Sequence, residues 1–295
     1  MHTQTHVRTA TGLNTFACHE VGKGKLPFND NEYSRFKYGS KSIARKFGKE
    51  LADAFYKSEL FLLNRHLFSG DNYCVVVPSP YYFIPTATFA MKDYFIARMN
   101  HYLAQEGLNS LQETKCFRKS TYNDDYGSMS AEQRVKAIGS ESFHVDVEFV
   151  KNKAIIFMDD IRITGSHEQR VEEMIVRQKL DAQGCKSMFL YYAQLVDKDT
   201  HPDIENKLNH AFVKDLYSID KIIKNEQFIF NTRSVKYILK APETEFRTFI
   251  LYQSDSFCET LYSCAIGNEY HKVDQFKSNF EFLADIVETK PCIIK

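Results

Sequence analysis

Apolar residues recur at two different periods along this chain, and the alternation of periods sets out the elements. Ile43, Phe47, Leu51, Ala54 and Phe55 return at helical spacing, predicting a helix over Ser42–Tyr56. Tyr73–Val77 (YCVVV) is a short continuous β-branched run stopped by Pro78, the pattern of a strand covered on both faces. A second helix is predicted from Ala87 to Glu106, after the loop PSPYYFIP. Lys153–Met158 (KAIIFM) predicts the next buried strand, Ser166–Ala182 the next helix, and Ser187–Leu195 (SMFLYYAQL) a further strand.

Strands alternating with helices imply an α/β fold with a parallel sheet and right-handed crossovers. Between these elements, Cys116–Ser130 is polar and rich in turn formers, predicting a long mobile loop, with a short helix following over Ala131–Ile138. Residues 1–32 read as a polar, irregular N-terminal arm, and residues 33–199 as the α/β domain. The pattern changes after Asp199. Ile204, Leu208, Phe212, Leu216 and Ile219 share one helical face, and no strand–helix alternation recurs, so residues 200–295 are expected to be a mostly helical accessory region.

Composition narrows the function classes. Lys+Arg and Asp+Glu each number 38, a formal net charge of zero, which speaks against retention on nucleic acid or membrane by bulk charge. The seven cysteines have no CxxC spacing and are odd in number, which fits reduced thiols in a cytoplasmic protein and disfavours a structural zinc site. No apolar run approaches the length of a membrane span, and the first residues lack the apolar core of a signal peptide.

The candidate chemistry lies in AIIFMDDIRITGSHEQR. Asp159 and Asp160 follow a buried strand, and Thr164, Gly165 and Ser166 precede a helix. The carboxyl ends of parallel strands open onto the ligand crevice of such a sheet. A helix start there presents unpaired N–H groups and a positive dipole end, a site for phosphate. Gly165 lets the backbone approach the anion, and the flanking hydroxyls add donors. Two carboxylates beside it can accept from a diol, directly or through hydrated Mg²⁺. Together these suit a sugar 5-phosphate with a free 2,3-diol. Helix capping by the carboxylates, and an ordinary cap and turn at Thr164–Ser166, are the plainer readings of the same residues.

Apolar strand, acidic pair and TG loop in this order resemble the phosphoribosyl-pyrophosphate (PRPP) signature of type I phosphoribosyltransferases. FKYGSKSIARKFGKELADAF, VVVPSPYYFIP and RKSTYNDDYGSMSAEQR resemble successive segments of the ComF-like branch, in the right order from Tyr33 to Val196. The resemblance does not reach the residues after Asp199. It implies that Asp159 and Asp160 contact the ribose and assist catalysis, and that Thr164, Gly165, Ser166 and His167 cradle the 5-phosphate. It further implies that Ser79, Pro80, Tyr81, Arg118 and Lys119 attend the pyrophosphate. Mg²⁺ would enter with PRPP, Asp159 and Asp160 being its indirect holders. The implied reaction transfers the phosphoribosyl group to a nitrogen acceptor that the sequence does not identify.

The loop departs from the usual T-T-G-G-T: Ile163 lacks a hydroxyl, Ser166 replaces glycine and His167 replaces threonine. Arg162 is also unusual, and is expected either to meet a ligand phosphate or to pair with Asp159. A PRPP-binding regulator without turnover therefore stands as the alternative, and an unrelated doubly wound domain as a third reading. The fold often forms homodimers, with no interface marked here. Direct nucleic-acid binding is not expected.

Overall fold

The computed structural model describes residues 14–22, 26–118, 143–197 and 204–289. The chain opens with strand β1 (Asn14–Val21), helices α1 (Asp30–Lys37), α2 (Lys41–Tyr56) and α3 (Glu59–Leu63), strand β2 (Cys74–Pro78) and helix α4 (Ala87–Gln105). Short strands β3 (Gln112–Glu113), β4 (Phe117–Arg118) and β5 (Phe143–His144) and the turn of helix α5 (Val147–Val150) follow. Then come β6 (Ala154–Arg162), α6 (Ser166–Arg177) and β7 (Lys186–Leu195). The five-stranded sheet has the order β1-β7-β6-β2-β3, with every pairing parallel. This is the parallel α/β architecture expected from the alternation of periods.

Strand alternation divides the core. Val76, Ile156, Met158 and Leu190 pack on one face with Phe47 and Leu51 of α2 and Met91 and Phe95 of α4. Val75, Val77, Ile155, Phe157 and Phe189 face the other way, against Val171, Met174 and Ile175 of α6. Strands covered on both sides need apolar residues at every position, which is why β2 and β6 read as unbroken runs.

Three expectations change. Residues 1–32 are not irregular throughout: Asn14–Val21 forms the edge strand β1 in register with Met188–Leu195 of β7, and Asp30–Lys37 is helical. Its buried residues, Thr15, Phe16 and Val21, are separated by half-covered Ala17, Cys18 and His19 and exposed Glu20, so no apolar run announces it. The second change is the end of β6. The strand continues through Asp159 and Asp160 to Arg162, because β7 extends beside it and keeps Asp159 opposite Tyr191 and Arg162 opposite Gln194. β2, by contrast, ends its pairing at Pro78 opposite Met158. Helix α6 stops at Arg177, short of Ala182.

The C-terminal region is helical as expected, in α7 (Ile204–Asn209), α8 (Leu216–Asn225), α9 (Thr232–Lys240), α10 (Glu243–Leu251), α11 (Asp255–Gly267) and α12 (Lys277–Thr289). It has its own apolar core of residues such as Ile219, Ile222, Ile238, Phe246 and Leu261, into which Tyr38 and Ile84 of the preceding part are inserted. No helix among the described residues is long and apolar enough to cross a membrane. The expected helix over Ala131–Ile138, and most of the loop before it, lie outside the described residues.

Candidate active site

The acidic pair extends β6 past the last paired residue of β2, so both carboxylates stand where the sheet opens. Successive side chains of a strand diverge to opposite faces, and the two take different partners. Asp159 Oδ1 accepts from Ser79 Oγ at 2.5 Å, from Thr88 Oγ1 at 3.2 Å and from the backbone N–H of Asp160 at 2.9 Å. Its Oδ2 lies 3.1 Å from His167 Nδ1. Asp160 Oδ2 receives Lys37 Nζ at 2.5 Å and Tyr33 OH at 2.6 Å.

Neither carboxylate is the open, solvent-facing group that a strand end suggests. Asp160 is 4% exposed, and Tyr33 is fully buried against it. Burial works to raise Asp159, but His167, Lys37 and the Ser79 hydroxyl outweigh it and hold the carboxyl well below the ordinary carboxylate range. For Asp160 burial raises the carboxyl, Lys37 and Tyr33 pull it down, and the Asp159 charge adds to the rise; the net direction is upward. Tyr33 is itself raised by burial and by Asp160.

The phosphate-type loop has the expected shape. Gly165 is left-handed at φ +77° and caps the start of α6, where Gln169 N–H donates to its carbonyl at 2.9 Å. Thr164 and Ser166 are exposed, with their hydroxyls 2.7 Å apart. His167, however, turns to Asp159. Arg162 does not pair with Asp159: its Nε donates to Glu168 Oε2 at 2.8 Å, and the same oxygen accepts from Tyr191 OH at 2.8 Å. Glu168 is 3% exposed, so Arg162 is spoken for inside the fold.

At the end of β2, Ser79 is buried against Asp159, and Tyr81 bridges to Phe117 of β4 through Tyr81 N–H to Cys116 O at 3.3 Å and Arg118 N–H to Tyr81 O at 3.1 Å. This places Arg118 beside the Ser79–Tyr81 loop. Lys119 lies outside the described residues. The loop has no basic residue of its own, but the fold supplies Lys115, whose Nζ donates to Tyr82 O at 2.6 Å and stands 4.1 Å from the Tyr81 ring centre. Burial lowers the Lys115 ammonium.

Sequence reading missed Lys115, Thr88, Tyr33 and Lys37 as site residues. Only Lys37 carried a signal, as the lysine of the K-Y-G segment. A cleft of about 740 Å³ lies elsewhere, between β1 and α2, and its lining includes Lys46, Glu50, Asp53 and Tyr192. Most of its charges are paired, Lys46 with Glu32 at 2.6 Å, Asp53 with Arg98 at 2.7 Å and Glu50 with Tyr192 OH at 2.8 Å, and the Thr164–Ser166 loop is not in its lining.

No group of three metal-ligating side chains occurs among the described residues. The acidic pair could hold a cation, but each carboxylate already faces a basic side chain. That donor set does not fit a resident Mg²⁺.

The sheet, the acidic pair and the loop define a phosphoribosyltransferase-type fold, and the family comparison agrees. The ComF-like phosphoribosyltransferase family model matches residues 12–283, and the chain belongs to that family. The match extends through the helical region that the sequence segments had left uncovered. No curated protein matches. Among solved structures, a hypoxanthine phosphoribosyltransferase from Staphylococcus aureus is similar at 17% identity and TM-score 0.30, over 55% of this chain and 66% of that one, just under two thirds. One from Trypanosoma cruzi is similar at 13% identity and TM-score 0.30, over 55% and 71%.

Proposed function

We propose that this chain binds PRPP at the open edge of β2 and β6 and transfers its phosphoribosyl group to a nitrogen acceptor, releasing pyrophosphate. The observation that carries the reading is the succession of Asp159, Asp160 and the left-handed Gly165 turn at the start of α6, beside the Ser79 end of β2. The N–H groups and hydroxyls of Thr164–Ser166 would take the 5-phosphate, the Ser166 N–H exchanging its bond to Thr164 Oγ1 for one to the anion, and Asp159 and Asp160 the ribose hydroxyls. Lys115 and Arg118 would face the pyrophosphate, which enters as its magnesium complex.

In the reaction the C1–O bond breaks with its electron pair leaving on pyrophosphate. The acceptor nitrogen forms the new C1–N bond and gives up its proton to solvent. The site contributes placement and charge: carboxylates that hold the sugar and stabilise an oxocarbenium-like centre, and cations that meet the departing pyrophosphate.

The alternative, a PRPP-binding regulator with little turnover, is favoured by one feature. Both carboxylates are already engaged, Asp159 by His167 and Asp160 by Lys37, so the ribose would share them with internal partners or displace those partners. Calorimetry with PRPP and Mg²⁺ on wild type and Asp159→Asn tests the pocket, and pyrophosphate release across a panel of nitrogen acceptors tests turnover. Micromolar binding that weakens in the variant supports the site; equal binding by both removes it. Binding without release on any acceptor favours the regulator.

A further inference from the structure

Beyond Pro78 the loop after β2 leaves the five-stranded sheet and bridges only to Phe117 of β4 at Tyr81, and the holders of its far end come from the C-terminal helices. Asn268, which ends α11 and is 4% exposed, accepts with Oδ1 from the N–H groups of Phe83 at 3.1 Å and Ile84 at 2.9 Å. Its Nδ2 donates to Tyr270 OH at 2.8 Å. Thr232 N–H donates to Pro85 O at 2.9 Å, and its hydroxyl to Ile84 O at 2.7 Å. The loop is thus stretched between Asp159, through Ser79, and Asn268.

The same region grips the other wall of the site. Glu226 pairs with Arg35 at 2.8 Å and accepts from Ser40. Ile229 N–H donates to Gly39 O at 2.8 Å, and Asn231 Nδ2 to the carbonyl of Lys37 at 3.2 Å. Lys37 is the residue paired with Asp160. Both contacts are backbone-close. Gly39 has φ +103°, and a Cβ there would lie 2.5 Å from Ile229 O; a Cβ on Gly267 would overlap the Phe83 ring.

We propose that the helical C-terminal region is a working wall of the site, and that Asn268 is a positioning residue that sets the Ser79–Tyr81 loop for the pyrophosphate end of PRPP. The proposal rests on the PRPP reading. A loop held at both ends presents its backbone in one arrangement, and the substrate need not order it on binding. Without Asn268 the Phe83 and Ile84 amides lose their acceptor, and of the two outer anchors only Thr232 remains.

The test uses the full chain, with PRPP–Mg²⁺ calorimetry and thermal unfolding run together. Asn268→Ala is expected to weaken PRPP about tenfold. Asn268→Asp should recover much of that loss, since the carboxylate keeps both acceptors and the Tyr270 hydroxyl can donate in turn. Asn279→Ala is the control. This buried helix residue donates to Leu239 O and Ala241 O within the C-terminal core and touches neither wall, so it should lower the Tm and leave PRPP affinity unchanged. If Asn268→Ala does not fold, Thr232→Val removes the hydroxyl anchor alone and should weaken PRPP in the same direction. Equal weakening by Asn268→Ala and Asn279→Ala, or no change in either, overturns the positioning role. A wild type that does not bind PRPP defeats the substrate reading itself and the proposal with it, a result distinct from a loss confined to the variants.

Discussion

The Lys37–Asp160 pair offers the sharpest test of how this site is built. The two side chains are 13% and 6% exposed and 2.5 Å apart, so the pair is nearly desolvated. Removing one partner of such a pair leaves a buried charge without compensation, at a cost of about 3–5 kcal/mol. Asp160→Asn should fall at the low end, about 3 kcal/mol, because the amide oxygen can still accept from Tyr33 and Lys37 retains a little access to water. For a chain of this size that is a fall in Tm of about 5 °C. Lys37→Met should behave differently. Asp160 already tends upward, and without Lys37 its folded pKa rises further above the unfolded value of about 3.9. The cost of ionised Asp160 is present above the folded pKa and vanishes below the unfolded one, so the Lys37→Met penalty shrinks as the pH falls toward 4. Urea unfolding at pH 7 of wild type, both single variants and the double variant closes the cycle. The double variant should be more stable than the sum of the singles by at least about 1.5 kcal/mol. Additivity within about 0.5 kcal/mol would refute the pair as a coupled, desolvated unit.

Asp159 gives a pH dependence of opposite sign. Its carboxyl is held low in the fold, so the stabilisation is fully present above about pH 4 and is lost as the pH falls through the folded value. The stability difference between wild type and His167→Ala, measured by urea unfolding, should therefore be smaller at pH 2 than at pH 5; a constant difference would show that His167 does not act through Asp159. Gly165→Val places a β-branched residue at φ +77° with its Cβ 3.1 Å from Arg162 Nη2. It should cost about 2 kcal/mol or more in stability and abolish the affinity for PRPP in calorimetry, and unchanged affinity would mean that the turn does not wrap an anion.

Some parts of this architecture were legible in the sequence and others were not, for physical reasons. β2 and β6 are covered on both faces, so their residues had to be apolar without interruption, and the acidic pair was conspicuous where the run stopped. The same contrast misplaced the end of β6. Asp159, Asp160 and Arg162 look like loop residues, yet the long neighbour β7 keeps them in the ladder, and internal partners meet their charges. β1 was hidden for the converse reason: an edge strand needs few buried side chains, and NTFACHEV supplies Phe16 and Val21 without a run.

The partners of the pair were out of reach of any local pattern. Lys37 stands 123 residues from Asp160 in sequence, and Asn268 stands 184 from Ile84. What the sequence could carry was the residue type each contact demands, as in the glycine of K-Y-G. Its need is steric: Gly39 is the point where the C-terminal region lies directly on the segment that presents Lys37. A family model that runs through residue 283 fits the same picture, since walls built from residues 226–232 and 268 bind the helical region to the site at its two ends. The C-terminal helices hold both the segment that presents Lys37 to Asp160 and the loop anchored on Asp159, so a substitution at either contact is felt at the acidic pair.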